Sequence, residues 1–454
     1  MLRSLFIFLI LVPGLAMAIR NRYAGLLLYV WFALFRPQEW LWVDVAFLRL
    51  SLVIGLLLVV PALLTGVFPT IKHPLAIGMA TFVGFSIVAQ FVAVDAELAF
   101  VWLDYLVRLV IVCLFAVTLT TTIRRFVLLM TVMAVSIGFH GAKAGFASLI
   151  FGGIQFFDGL AGSFVDSNGY ALACAMVIPL LIASGQNLHW LRATVTETMP
   201  RHWMRVFFYA AAPLCAFTIV SLFSRGGFLA LMASIVVLVL VQRRRLLATV
   251  GLAAVATAAL TVAPLPKGYA DRLSTIRTYE EVNETSALSR IHFWRVAVDM
   301  AMDRPLGVGL RNFEEAYDQY DFSGGEYGTR RAVHNSHLQV LAETGFGGAV
   351  TYVGLFLASL WILLQVRSRA RRVEPPTQES KFLFSTANAL IVSTVAYLVG
   401  ATFVSMPFND LTWLTFALVA SLHRLAAELC PVSKPVIQRV PSYIAPAIGR
   451  ANVA

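Results

Sequence analysis

Charge is scarce in this chain: Asp, Glu, Lys and Arg make up only 13% of its 454 residues, against about 25% in soluble globular chains. With 59% hydrophobic residues and a mean hydropathy of +0.79, that scarcity excludes an ordinary water-soluble domain. Cysteine is scarce too. Cys113, Cys174, Cys215 and Cys430 are scattered, mostly inside apolar runs, without a CxxC pair or a metal-ligand spacing, so they read as small buried residues. No HExxH pattern exists. The net charge of +11 is not gathered on any soluble-looking face, which argues against nucleic acid as a partner.

What is present is a succession of apolar runs. About 20 such residues span a bilayer as a helix. Candidate spans are 46–68, 74–93, 101–121, 126–150, 169–184, 204–223, 226–242, 246–263, 338–365, 381–404 and 411–429, preceded by shorter runs at 4–19 and 23–35. The chain is therefore expected to be an all-α polytopic membrane protein surrounded by membrane lipids. Taking 4–19 and 23–35 together as one broken crossing gives about twelve spans with both ends inside; two crossings would put the N-terminus outside. Ala16-Met17-Ala18 also looks like a signal-peptide cleavage site, but removing that segment would leave 23–35 running the wrong way for the remaining topology.

Lys and Arg in short loops set orientation. Arg124-Arg125, the 185–205 loop, Arg243-Arg244-Arg245 and the 366–381 loop alternate with loops that carry Asp95, Glu97, Asp158, Asp166 and Asp410 instead. Calling the basic set cytoplasmic divides the chain into an N-terminal bundle (1–263), an external helical loop (264–336), C-terminal spans (337–430) and a cytoplasmic tail (431–454). The external loop is far longer than an ordinary connection, so it should be functional or independently folded. Within it, Leu288, Ile291, Trp294, Val298 and Met302 recur at helical spacing between Thr285 and Arg304, with Arg290 and Arg295 on and beside that face. A second helical stretch, 311–320, follows the turn Arg304-Pro305-Leu306-Gly307-Val308-Gly309. The pair reads either as a lid over the outer mouth of the bundle or as amphipathic helices resting on the interface.

The loop ends in His334-Asn335-Ser336-His337, with Glu343-Thr344-Gly345 shortly after. Ser336 followed by Gln339 is a capping-box pattern, which would place His337 in the first turn of a helix. A helix N-terminus disfavours added positive charge, so this imidazole suits a general base at neutral pH. An ordinary interfacial histidine is the other reading, and a metal pair with His334 lacks the completing carboxylates. Arg225 stands between two apolar runs at the outer boundary, against the positive-inside trend, so an anion should compensate it. Lys143 lies near the outer end of its run, where it can snorkel, while Arg108 has Asp104 one turn away as a structural partner. Arg225, Arg290, Arg295 and Lys143 thus bring cations to the depth of a lipid pyrophosphate, whose oxygens match the arginine fork.

These pieces resemble the O-antigen ligase and polymerase superfamily of bacterial inner-membrane proteins. The resemblance rests on Ser224-Arg225-Gly226-Gly227, Ser289-Arg290 with Trp294, the Arg304–Gly309 turn, His334–His337 with Glu343-Thr344-Gly345, and the Gly-rich turn Gly162–Asn168. Arg20–Tyr23 through Phe35–Trp40 is similar to a subgroup of O-glycosylation ligases of exosortase-type systems. The resemblance implies inverting, metal-independent glycosyl transfer, without a cofactor, at the periplasmic face of the inner membrane. The implied donor is an undecaprenyl pyrophosphate-linked glycan and the implied acceptor is lipid A–core oligosaccharide. His337 would be the base and Arg225 and Arg290 the pyrophosphate ligands, with Asn168, His334 and Asp410 completing the substrate-binding set. A repeat-unit polymerase and a protein O-oligosaccharyltransferase would use the same residues. A transporter is the reading from another class, but the two halves show no repeat and the suspicious charges avoid the midplane.

Overall fold

The computed structural model describes residues 2–41, 48–154, 156, 159–160, 164–195, 201–242, 245–247, 249–251, 253 and 285–431. Among these there is no strand, and the helices follow the apolar runs: α1 (Leu2–Arg20), α2 (Arg22–Phe35), α3 (Leu50–Leu64), α4 (Pro74–Gln90), α5 (Ala96–Leu119), α6 (Ile123–Ile150) and α7 (Ser167–Gln186). Then come α8 (Leu188–Val195), α9 (Arg201–Ser221), α10 (Arg225–Val241), α11 (Thr285–Asp303), α12 (Phe313–Tyr320), α13 (Ser336–Arg371), α14 (Gln378–Gly400) and α15 (Asp410–Leu429). Seven described helices are long and apolar enough to cross a membrane. Most of the span expected at 246–263, the first part of the external loop (264–284), Asp158, Gly162-Ser163, Arg243-Arg244 and the tail from 432 lie outside the described residues.

Helices differ in how much of their circumference is buried, and that orders the bundle. In α7, every residue from Gly169 to Leu181 is buried, and in α15 every residue from Asp410 to Leu422. Helices apolar all round belong inside. By contrast α1, α3 and the later part of α13 expose Leu9, Leu64, Val350, Leu357 and Trp361, as surfaces that meet lipid must.

The N-terminal segment departs from the single broken crossing expected for it. Asn21 adopts an extended conformation and caps α2, so the chain reverses sharply there. A Cβ at Gly14 would meet Leu28, Gly25 packs on Ala18, and Phe6 reaches Phe35. Such pairings define an antiparallel hairpin. Arg3 consequently lies at the Trp40 end, while Arg20 and Arg22 gather beside Arg125 at the other. The hairpin wins because small residues at the crossing let both arms pack closely, which a continuous kinked helix would forgo.

Candidate functional site

Four helices begin beside one another at the end of the bundle that carries α11 and α12, and each is capped by a side chain. Asp166 accepts from the Gly169 N–H, Ser224 from Gly227, Asn335 from His337 and Leu338, and Asn409 from Thr412. The starts are also tied to each other. Ser224 Oγ donates to Asn168 Oδ1 at 2.7 Å, and Asn168 Nδ2 donates to Asp166 Oδ1 at 3.3 Å, joining α7 to α10. Ser336 Oγ donates to the Val404 carbonyl at 2.6 Å and accepts from the Met406 N–H at 3.0 Å. The same 401–409 segment presses Phe403 on Gly226, and Met406 and Val404 on Gly169. The starts of α7, α10 and α13 therefore meet around that segment. The partial positive charge of these helix starts favours an anion there.

The cap of α13 corrects the capping box expected at Ser336. Asn335 is the N-cap, accepting at 3.0 and 3.1 Å, and Ser336 is released to bind the 401–409 segment. Gln339 turns inward and donates to Glu343 Oε1 at 2.9 Å. Asparagine caps as well as serine, and only Ser336 is placed to bridge Val404 and Met406. His337 stays in the first turn, half-buried, with Nε2 3.1 Å from the Leu398 carbonyl. A carbonyl only accepts, so Nε2 carries the hydrogen and the neutral ring keeps its lone pair on Nδ1.

Arg225 is the first residue of α10, half-buried beside the Ser224–Asn168 tie. Arg290, on α11, lines a cavity of about 680 Å³ together with Ser289, Phe293, Tyr327, Arg331 and His334. Burial, and after it the Arg290 charge, holds the His334 imidazole below its usual value, partly opposed by Asp166. Asp166 thereby connects the cavity to the Asn168–Ser224 tie. Arg225, Arg290, His334, His337 and Asn168 are thus brought to one end around joined elements.

Other candidates stand apart from that cavity. Arg295 is exposed and does not line it. Lys143 Nζ sits 4.8 Å over the Trp40 ring, near Arg3. Asp410 is buried in the bundle, not displayed in a loop, and takes the Tyr105 hydroxyl on Oδ2 at 2.8 Å. Arg108 pairs with Asp104, as its spacing suggested, with Nε donating to Oδ1 at 2.9 Å. The four cysteines are free and buried. No group of three or more His, Cys, Asp and Glu is placed to hold a metal among the described residues.

Two features escaped sequence reasoning. The sequence reads 401–404 as the end of a span and 405–410 as a short outer loop, although Ser405-Met406-Pro407 and Asn409 signal an ordered turn that ends in a cap. His292 Nε2 lies 2.8 Å from Asp321 Oδ1 across the α11–α12 unit. Nothing in their separation, 29 positions along the chain, marked them as partners.

The fold and this end together define an all-α polytopic membrane protein with a cationic, helix-capped site under a small helical unit. Residues 210–353 match the sequence model of the O-Antigen ligase family, which supports the O-antigen ligase superfamily for this stretch of the chain. That superfamily joins ligases and polymerases, glycosyltransferase-like proteins of the membrane. The matched stretch contains Arg225, Arg290, Arg295, His334 and His337, and leaves out Lys143, Asn168 and Asp410. No curated protein matches the chain.

Proposed function

We propose that this protein transfers a preassembled glycan from undecaprenyl pyrophosphate to a sugar hydroxyl of lipid A–core oligosaccharide, at the periplasmic face of the bacterial inner membrane. The observation that supports the reading is that Arg225 opens α10 and His337 lies in the first turn of α13, helix starts tied through the 401–409 segment, at the end of the bundle where Arg290 lines the α11 cavity. The Nδ1 lone pair of His337 takes the proton of the acceptor hydroxyl as its oxygen attacks the anomeric carbon. The bond from that carbon to the pyrophosphate oxygen breaks on the opposite face, with inversion. Arg225 and Arg290 hold the departing undecaprenyl pyrophosphate, whose negative charge grows in the transition state.

Purified protein given lipid-linked glycan and lipid A–core, with chelator present, tests this. The reading requires chelator-resistant product. Transfer only to peptide Ser or Thr would make the protein an O-oligosaccharyltransferase, and elongation of the donor glycan alone a polymerase.

A further inference from the structure

At the far end of the bundle from that site, a cavity of about 420 Å³ opens between the α1–α2 turn and the ends of α5 and α6. Arg20, Arg22 and Arg125 line it, with Asn21 and Thr121 between them. No acidic side chain lines it, and among the described residues none of these three arginines ion-pairs with a carboxylate. Arg125 is held in place: Nη1 donates to the Leu119 carbonyl at 2.9 Å and to Thr121 Oγ1 at 3.2 Å, and the guanidinium lies 5.1 Å from the Tyr23 ring centroid. The Tyr23 hydroxyl in turn donates to the Arg125 carbonyl. Three like charges walled together repel one another, and among the described residues no carboxylate pairs with them to offset that repulsion.

The geometry points to a phosphate-group site that takes the headgroup of an anionic phospholipid. Arginine forks match phosphate oxygens, and basic pockets between spans at a membrane surface attract anionic headgroups. Exposed apolar side chains flank the cavity. Val67 lines the cavity, and Ile19, Leu64 and Phe68 beside it are exposed, giving acyl chains a surface to lie on. A free phosphate would use the arginines but not these residues. This site is independent of the transfer reaction proposed above.

The test is native mass spectrometry and thermal stability of the delipidated full chain in neutral detergent, offered cardiolipin, phosphatidylcholine or inorganic phosphate. Retention of cardiolipin over phosphatidylcholine, weakened roughly thirtyfold in the R20Q/R22Q double variant, supports the site. R20K/R22K keeps the charges and should retain part of that affinity, which separates loss of the site from loss of the fold. Equal retention of both lipids, or unchanged cardiolipin binding in R20Q/R22Q, overturns the inference. Displacement of cardiolipin by millimolar inorganic phosphate would show that the site reads the phosphate alone and would overturn the acyl-chain contribution.

Discussion

His337 and His334 are three positions apart in sequence and have different surroundings. His337 has one nitrogen committed to the Leu398 carbonyl, which fixes its tautomer. His334, in the left-handed region at φ 49°, lies in the cavity beside Arg290. As a general base, His337 should be indispensable to chemistry alone. We expect H337A to lose at least 100-fold in transfer with donor binding retained, measured by single-turnover assay and donor retention; full activity in the variant would retire the base. R225K and R290K should each recover only part of the loss seen with alanine, because lysine keeps the charge without the fork.

His334 carries a pH dependence whose sign follows from its lowered value. The folded protein resists protonating it, so the unfolded chain binds the proton first below the ordinary value of 6.5. Stability associated with neutral His334 is therefore complete above that pH and falls away as pH drops toward the folded value. Histidine-resolved NMR titration should show R290Q raising the His334 value while leaving it below 6.5, since burial is the larger cause and persists. No movement in R290Q would show that the Arg290 charge does not reach the ring.

At the scale of elements, α13 is two helices joined at a kink. Gly345 has φ 66° and ψ −173°, and a Cβ there would strike the Pro305 carbonyl oxygen. The Phe346 N–H donates to that carbonyl at 3.1 Å, and the Gly309 N–H to the Glu343 carbonyl at 3.1 Å. Gly307, at φ 90°, is pressed just as closely on the Glu343 backbone. The Pro305-Leu306-Gly307-Val308-Gly309 turn and the Glu343-Thr344-Gly345 triplet are thus one joint, and it fixes the angle of the first turns of α13, where Ser336 binds the 401–409 segment and His337 the Leu398 carbonyl. G345A combines left-handed strain with overpacking against backbone, for a cost of roughly 2 kcal/mol or more. Its thermal midpoint should fall, and transfer should fall further than stability requires. A midpoint equal to wild type would refute the joint.

At the scale of the whole molecule, the α11–α12 unit has a small core of its own, built from Phe293, Val296, Met300, Phe313 and Tyr317. The Asp321 carboxylate closes it. Burial raises its value, but the Ser323 hydroxyl and N–H, the Gly325 N–H and His292 outweigh burial and bring it down to about 2. Its contribution is therefore present above the ordinary carboxylate value of 3.8 and lost as pH falls through about 2. D321N should be less stable than wild type at pH 7, with the gap closing in acid; a gap constant with pH would mean the charge is not involved. Hydrogen exchange confined to 285–334 would report it locally.

Much of this was legible in the chain. The apolar runs gave the helices, because lipid forces backbone polar groups to be satisfied within each segment. Helical spacing likewise pointed to α11 and α12. The hairpin at Asn21 was not legible, since two short runs read the same whether they continue or fold back, and only the packing of Gly14 on Leu28 decides. Nor was the cap of α13: Asn335 and Ser336 are both good caps, and the choice was made by Val404 and Met406, 68 and 70 positions away. Sequence by itself determined that the chain spans a membrane, where its helices lie and which cations are out of place, because these follow from local hydrophobicity and charge. Tertiary structure alone decided which helix ends meet, which nitrogen of His337 the Leu398 carbonyl engages, and which arginines share a cavity, because those depend on contacts between residues far apart along the chain.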